Sequence, residues 1–406
     1  MSRLLLKWVS LFFCPIVVSF GSLASAGLDN RTCDVACLQA IRASGDLAAQ
    51  RAHVWSIFAK ITKSQKAVPA FEEWHGERAV FDRGFFGNKS RGLYGFARAP
   101  SQGTRSQGSL GVPVLAYSLF NGPAVEHILR HKLYSREVLG SRAAVLERDV
   151  PAFPTDAIVV KTVWWPVAHD RPTAMPVWDP AANPARLEGN PYTTWRRVVA
   201  VDTARVAADE PISIEFAGRK FRDVRRVPLA TFYHVKVDEA LAGSIMRDPE
   251  GKRAMLVALG RPLEAGDQLA LVGINMMSRE IDNWIWAAFW WHDFAAVGPF
   301  ALDRPESLKA PWSNYLMLAA FDAQTPPGAD GGAHIAFNPW LEGRFPDGGN
   351  GGGTVSNCVA CHRRASYPPV NFLPVTRGGP NENDPGIASE HLRTSFLWSI
   401  AIHAQQ

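Results

Sequence analysis

Cys358, Cys361 and His362 stand in the order Cys-x-x-Cys-His, in a chain of 406 residues that has only five cysteines. Two thiols at this spacing can bond covalently to the two vinyl groups of one porphyrin, and the adjacent imidazole reaches the iron as proximal ligand. The pentapeptide is the attachment signature of a c-type haem. It predicts one covalent haem c, with Cys358 and Cys361 as thioether anchors and His362 as the metal ligand. Random placement of the same cysteines and histidines would produce the pattern in about one such sequence in 700. The rival uses of these residues are a structural zinc site, a thiol/disulfide redox pair and a plain disulfide.

Covalent haem attachment needs an extracytoplasmic assembly route, and the start of the chain agrees with one. Arg3 and Lys7 form a positive region, Leu11 to Phe20 is mostly apolar, and Ala24-Ser25-Ala26 is an A-x-A cleavage site. Residues 1–26 are therefore expected to be a signal peptide, and the protein periplasmic or secreted. Pro15 interrupts the apolar stretch, which is short for a span of about 20 residues, so no transmembrane segment is expected after cleavage. Cleavage removes two cations and no acid, which lowers the formal charge from +5 to +3. Arg225-Arg226 and Arg363-Arg364 are isolated pairs, and no basic run of the nucleic-acid type occurs. Arg363 and Arg364 read either as a solvated surface pair or, if the chain turns that way, as partners of haem propionates.

Four cysteines then remain: Cys33, Cys37, Cys358 and Cys361. Cys33 to Cys37 is not a haem motif, since Leu38 follows. An i, i+4 pair on a regular helix holds its Cβ atoms about 6 Å apart, beyond the roughly 3.5–4.5 Å that a disulfide prefers. A Cys33–Cys37 bond thus requires a non-helical turn there. A zinc site made from all four thiols would leave His362 unexplained.

The second axial position is open in the sequence. No Met follows Met317, and only 44 residues follow His362. His391 and His403 are near in sequence, while Met276, Met277, Met317, His292 and His334 are distant candidates. His127 and His131 lie one helical turn apart, which is also metal-ligand spacing, but the intervening Glu of a zincin is absent. Of 14 Trp, Trp284, Trp286, Trp290 and Trp291 cluster, and Trp164-Trp165 form a pair; these read either as core packing or as an aromatic wall around a flat ligand. No G-x-S-x-G elbow, Walker loop or H-E-x-x-H is present.

A composition of 47% hydrophobic and 20% charged residues is that of a globular protein. Asp34 to Lys63 reads as helix, with apolar residues at Val35, Leu38, Ile41, Leu47, Val54, Ile57 and Phe58. Arg83 to Ser109 reads as a surface loop and Ala124 to Tyr134 as a helix. Ala157 to Trp165, Thr194 to Val201, Ile212 to Phe216, Thr231 to Val237, Gln268 to Asn275, Asn283 to Trp291 and Ala333 to Phe337 read as strands. Gly348 to Gly353 then forms a glycine run ahead of the motif, and Ser389 to His403 reads as a helix capped by Ser389. The expected fold is α+β, with a helical and loop region over 27–150 and a mainly antiparallel β body over 151–406 that carries the motif near its end.

A β-rich body with a C-terminal attachment motif is similar to the β-sheet cytochromes c′. Only Cys358, Cys361 and His362 carry over residue by residue, and the chain is more than twice the usual length of that family. The resemblance implies a five-coordinate or weakly capped iron that meets small diatomic or nitrogenous ligands. Three functions follow as expectations. The first is an exported c-type cytochrome that carries electrons to a redox partner protein. The second is a haem enzyme or gas-binding protein with an open distal site, and the third is a Trp-rich β module that binds flat or sugar-like ligands.

Overall fold

Asp34 opens the first helix, α1 (Val35–Ser44), by accepting the Cys37 N–H at 2.8 Å, and Gly45 closes it in the left-handed region at φ 66°. Asp46 caps α2 (Leu47–Thr62) by accepting the Ala49 N–H. The single helix expected over 34–63 is therefore two. A glycine at positive φ ends one helix and the following aspartate starts the next, so local capping chemistry overrides a continuous apolar period. The structure is a computed structural model, and it describes residues 33–65, 68–82, 113–179, 191–204, 210–296, 298–322, 334–343, 345, 353–370 and 391–404. The proposed signal peptide, the loop over Arg83 to Ser109, Ser389 and the glycine run before Gly353 lie outside those residues.

After a short hairpin of β1 (Ser64–Gln65) and β2 (Val68–Pro69), the chain forms β3 (His75–Gly76), α3 (Glu77–Phe81), β4 (Leu115–Phe120), α4 (Gly122–Arg130) and α5 (Arg136–Ala144). Next come β5 (Ile158–Val167), β6 (Thr173–Val177), β7 (Arg197–Asp202), β8 (Ile212–Phe216), β9 (Arg219–Val224), β10 (Arg226–Pro228) and β11 (His234–Lys236). Helices α6 (Glu239–Arg247) and α7 (Pro249–Leu259) precede β12 (Gln268–Ser278), β13 (Ile285–Trp291) and β14 (Tyr315–Ala320). The described chain ends with α8 (Cys358–His362), β15 (Ser366–Tyr367), β16 (Leu392–Arg393) and α9 (Trp398–His403). The fold is α+β. No helix among the described residues is long and apolar enough to cross a membrane.

The main sheet runs in the order β14-β13-β12-β5-β4-β3, with β11 pairing beside β12, and every pairing in it is antiparallel. It takes β3 and β4 from before residue 150 and the other strands from after it. Both faces are covered. Toward one face point Ile274, Phe289 and Met317, and α2 lies there with Phe58 stacked on Phe289 at 4.0 Å and Trp55 at 5.4 Å. Toward the other point Phe120, Val159, Met277, Trp286 and Ala320, paired side by side across five strands. They join a second core with Val80, Phe81, Ile128, Leu139, Cys358, Val359, Leu397 and Ile400. Strands buried on both faces read as unbroken apolar runs, which is why Leu115–Phe120, buried along its whole length, carries no alternation to mark it as a strand.

Two other expected elements differ. Residues 334–337 form no strand, only a bridge from Ala336 to Asn357. The helix expected over Ser389 to His403 is confined to Trp398–His403, because residues 392–393 pair with β15 and Ser395 and Phe396 take positive φ of 50° and 68°. Those dihedrals are not helical, so the turn interrupts what reads as a periodic segment.

Candidate functional site

The motif forms a helix of its own. Asn357 is fully buried and caps α8: its side-chain oxygen accepts the Ala360 N–H at 3.2 Å, while its Nδ2 donates to the His334 carbonyl at 3.1 Å. Cys358 N–H donates to the Ala336 carbonyl at 3.1 Å, and the Ala336 N–H donates to the Ser356 carbonyl at 3.0 Å. The segment before the motif is thereby stitched to residues 334–338. Gly353 permits this approach, since a Cβ there would stand 1.7 Å from the Glu342 carbonyl oxygen.

Within one helical turn lie two free thiols and one imidazole. Cys358 is buried and its thiol donates to the Ala336 carbonyl at 3.2 Å; Cys361 and His362 are half-buried. Burial pushes both thiols up, Cys361 to about 12, with the Glu342 carboxylate adding to the effect. Such thiols stay protonated at neutral pH. A nucleophilic or thioredoxin-like cysteine needs the opposite, a depressed thiol pKa. A four-thiolate zinc site is excluded for another reason: Cys33 and Cys37 are joined in a disulfide. Cys33 precedes the Asp34 cap and Cys37 lies in the first turn, so the pair straddles the helix start and meets the need for a non-helical turn.

His362 Nδ1 lies 2.8 Å from the carbonyl oxygen of Phe396. A carbonyl only accepts, so Nδ1 carries the proton and the lone pair is left on Nε2. Burial lowers the pKa of the ring to about 4, against the effect of that hydrogen bond, so the imidazole is neutral at pH 7. A neutral imidazole with Nδ1–H anchored to a carbonyl and Nε2 available is the form in which histidine ligates a metal. The Trp286 ring packs on it, centroids 4.5 Å apart and planes at 52°. Phe396 in turn is placed by the positive-φ turn, by Thr394 Oγ1 donating to the Leu397 carbonyl at 2.9 Å, and by Trp284 Nε1 donating to Ser395 Oγ at 3.4 Å.

The residues present thus fit a covalently held haem: two unoxidised thiols and one neutral imidazole on a short helix, with the ligand tautomer fixed by the fold. No family model, curated protein or solved structure matches the chain.

The candidates for a second ligand are dispersed. Met276 and Met317 belong to the core on the far side of the sheet, whereas Met277 lies on the motif's side as the cross-strand neighbour of Trp286. His334 Nε2 lies 2.8 Å from the Ala319 carbonyl, His292 Nδ1 accepts the Phe294 N–H at 2.9 Å, and His391 Nδ1 lies 2.9 Å from the Pro368 carbonyl. His403 Nε2 lies 3.5 Å from Glu77. His127 and His131 do meet, with ring centroids 4.5 Å apart; His127 Nε2 donates to the Pro151 carbonyl at 2.9 Å, which leaves its lone pair on Nδ1. Of the clustered tryptophans, Trp164, Trp284 and Trp290 are fully buried, and Trp165, Trp286 and Trp291 nearly so. Their rings serve packing, and Trp286 alone among them touches the motif's imidazole.

Sequence reading missed Phe396, Asn357 and Glu342, and it named Trp286 in an aromatic cluster without placing it beside His362. Asn357 carried a signal, a capping residue just before a short helical motif. The others carried none, because a backbone carbonyl and a sheet register have no residue-type signature.

Proposed function

We propose that the chain is an exported c-type cytochrome that holds one haem through Cys358 and Cys361, with His362 as proximal ligand, and passes single electrons to a redox partner. The observation that carries this reading is the hydrogen bond from His362 Nδ1 to the Phe396 carbonyl, which leaves Nε2 as the donor atom a metal requires. The Cys33–Cys37 disulfide supports export, since such bonds persist in oxidising compartments. The haem, when bound, would supply the one-electron couple; Cys358 and Cys361 would anchor it and His362 would ligate it, in the apolar cluster that also holds Trp286, Met277 and Leu397.

A second reading, a haem enzyme or gas-binding protein with an open distal site, is supported by the placement of the candidate second ligands. Of the methionines named as second ligands, Met276 and Met317 lie on the far side of the sheet from the motif, and among the described histidines none but His362 is in ring contact with Trp286 beside the motif. One experiment addresses both readings: absorption spectra, oxidised and reduced, with and without carbon monoxide, of protein made in a host that matures c-type cytochromes. A reduced spectrum of six-coordinate low-spin haem, unmoved by carbon monoxide, is expected for the electron carrier. A carbon monoxide shift favours the open site. Colourless protein with two alkylatable thiols overturns both.

A further inference from the structure

The Cys33–Cys37 disulfide joins two residues at a sequence separation of only 4. Cross-linking so near a pair removes little freedom from the unfolded chain, because the entropy lost grows with the size of the closed loop. The helix that carries the bond is held by other means. Asp34 Oδ1 accepts the Cys37 N–H at 2.8 Å and the Asp34 carbonyl accepts the Leu38 N–H at 3.0 Å, so the first turn of α1 is capped without the sulfurs. Leu38 is buried in the core and Ile41 packs against it. Toward the end of α1, Arg42 donates to Asp322 Oδ2 through Nε at 3.1 Å and Nη2 at 3.0 Å, and Gln50 Nε2 of α2 donates to the Ile41 carbonyl at 3.5 Å. None of these ties passes through a sulfur.

The bond is also accessible. Cys37 is exposed, whereas Cys33 is half-buried and packs against the core. Val35, between them in sequence, leaves 44% of its surface in water, and Asp34 and Ala36 are exposed as well. The free thiols Cys358 and Cys361 stand in contrast, the first buried and the second half-buried. In this chain the pair that solvent reaches is the oxidised one. A disulfide that staples a fold closes a long loop and resists reduction; an exposed one is the labile kind.

We propose that Cys33 and Cys37 are a thiol–disulfide exchange site, a two-electron centre that a dithiol protein of the same compartment opens and closes while the chain stays folded. The inference does not depend on the haem reading. A donor thiolate bonds to the exposed Cys37 Sγ, the Sγ–Sγ bond breaks, and Cys33 leaves as thiolate and takes a proton. The second donor thiolate then attacks the donor sulfur of the mixed disulfide and releases Cys37, which takes the second proton. The pair gains two electrons, and the donor ends as a disulfide. Reversal of the same steps closes the pair again.

The test uses the full-length wild-type protein, purified without reductant and equilibrated in a series of glutathione buffers from fully oxidised to fully reduced. Acid quenching, alkylation and mass spectrometry of the peptides separate Cys33 and Cys37 from Cys358 and Cys361. In the most reducing buffer at least half of the Cys33–Cys37 pairs are expected to be open, with the helical circular dichroism unchanged; structural disulfides stay closed across such a series. A pair that stays closed throughout, or that opens only as the circular dichroism is lost, is a staple and overturns the proposal. Two variants test which sulfur is attacked. With oxidised glutathione, Cys37 in Cys33→Ser is expected to form the mixed disulfide at least about tenfold faster than Cys33 in Cys37→Ser, because access limits attack. Equal rates or the reverse order overturn the assigned direction of exchange. If either variant does not fold, the wild-type series decides.

Discussion

The alpha carbon of Gly353 faces the backbone of Glu342 so closely that a methyl group on it would stand 1.7 Å from the Glu342 carbonyl oxygen and 2.5 Å from the carbonyl carbon. Backbone cannot yield as a flexible side chain can. Gly353→Ala is therefore expected to force apart the two segments that seat α8, at a cost of about 1–3 kcal/mol or more. The measurement is thermal melting together with the fraction of chain carrying covalent haem. Wild-type values for both would show that the two segments do not meet in this way.

Asn357 performs two tasks that one substitution separates. Asn357→Ala removes the cap of α8 and strands the buried His334 carbonyl, with an expected loss of about 2–4 kcal/mol. Asn357→Asp keeps an oxygen for the Ala360 N–H but loses the donor, so it is expected to fall between wild type and alanine. Denaturant unfolding of the three proteins checks that order, and an alanine variant as stable as wild type would contradict it.

In chain made without haem, the raised thiol pKa values predict slow alkylation in the folded state. With Cys361 pushed up to about 12 against an unfolded value near 8.5, its reactive thiolate at pH 8 is depleted about a thousandfold by folding. Adding denaturant should therefore accelerate modification by iodoacetamide. The sign for stability is the same: a thiol whose folded pKa is raised favours folding below pH about 8.5 and loses that contribution as pH rises toward 12. Equal alkylation rates with and without denaturant would refute the burial.

His362 acts in the opposite direction. Its folded pKa of about 4 lies below the unfolded value near 6.5, so the unfolded chain binds a proton first as pH falls. The stabilisation from a neutral His362 is present above about pH 6.5 and is lost as pH drops toward 4, up to about 3 kcal/mol in the haem-free chain. Urea midpoints of wild type and His362→Gln between those pH values are expected to converge on acidification. A constant gap would count against the buried neutral imidazole.

Much of the secondary structure was legible because its cause is local. Strands such as Ile158–Val167 and Ile285–Trp291 declare themselves by branched and aromatic composition, and the α+β character follows from them. The break at Gly45 was missed because two amphipathic segments in succession read as one period, although the Gly-Asp pair that stops and restarts the helix was present in the residues. The short final helix and the missing strand over 334–337 depended on partners elsewhere in the chain, which local composition does not reveal.

The donor atoms of the candidate site were set by the sequence alone, because Cys358, Cys361 and His362 are covalent neighbours whose spacing any fold must respect. Tertiary structure alone decided the state of those atoms. Which imidazole nitrogen keeps its lone pair depends on a carbonyl 34 residues away, and the ring packed on it, Trp286, is brought there by the strand β13. Hydrogen bonds and fields act through space at a few ångströms, so they belong to the folded arrangement rather than to the order of residues.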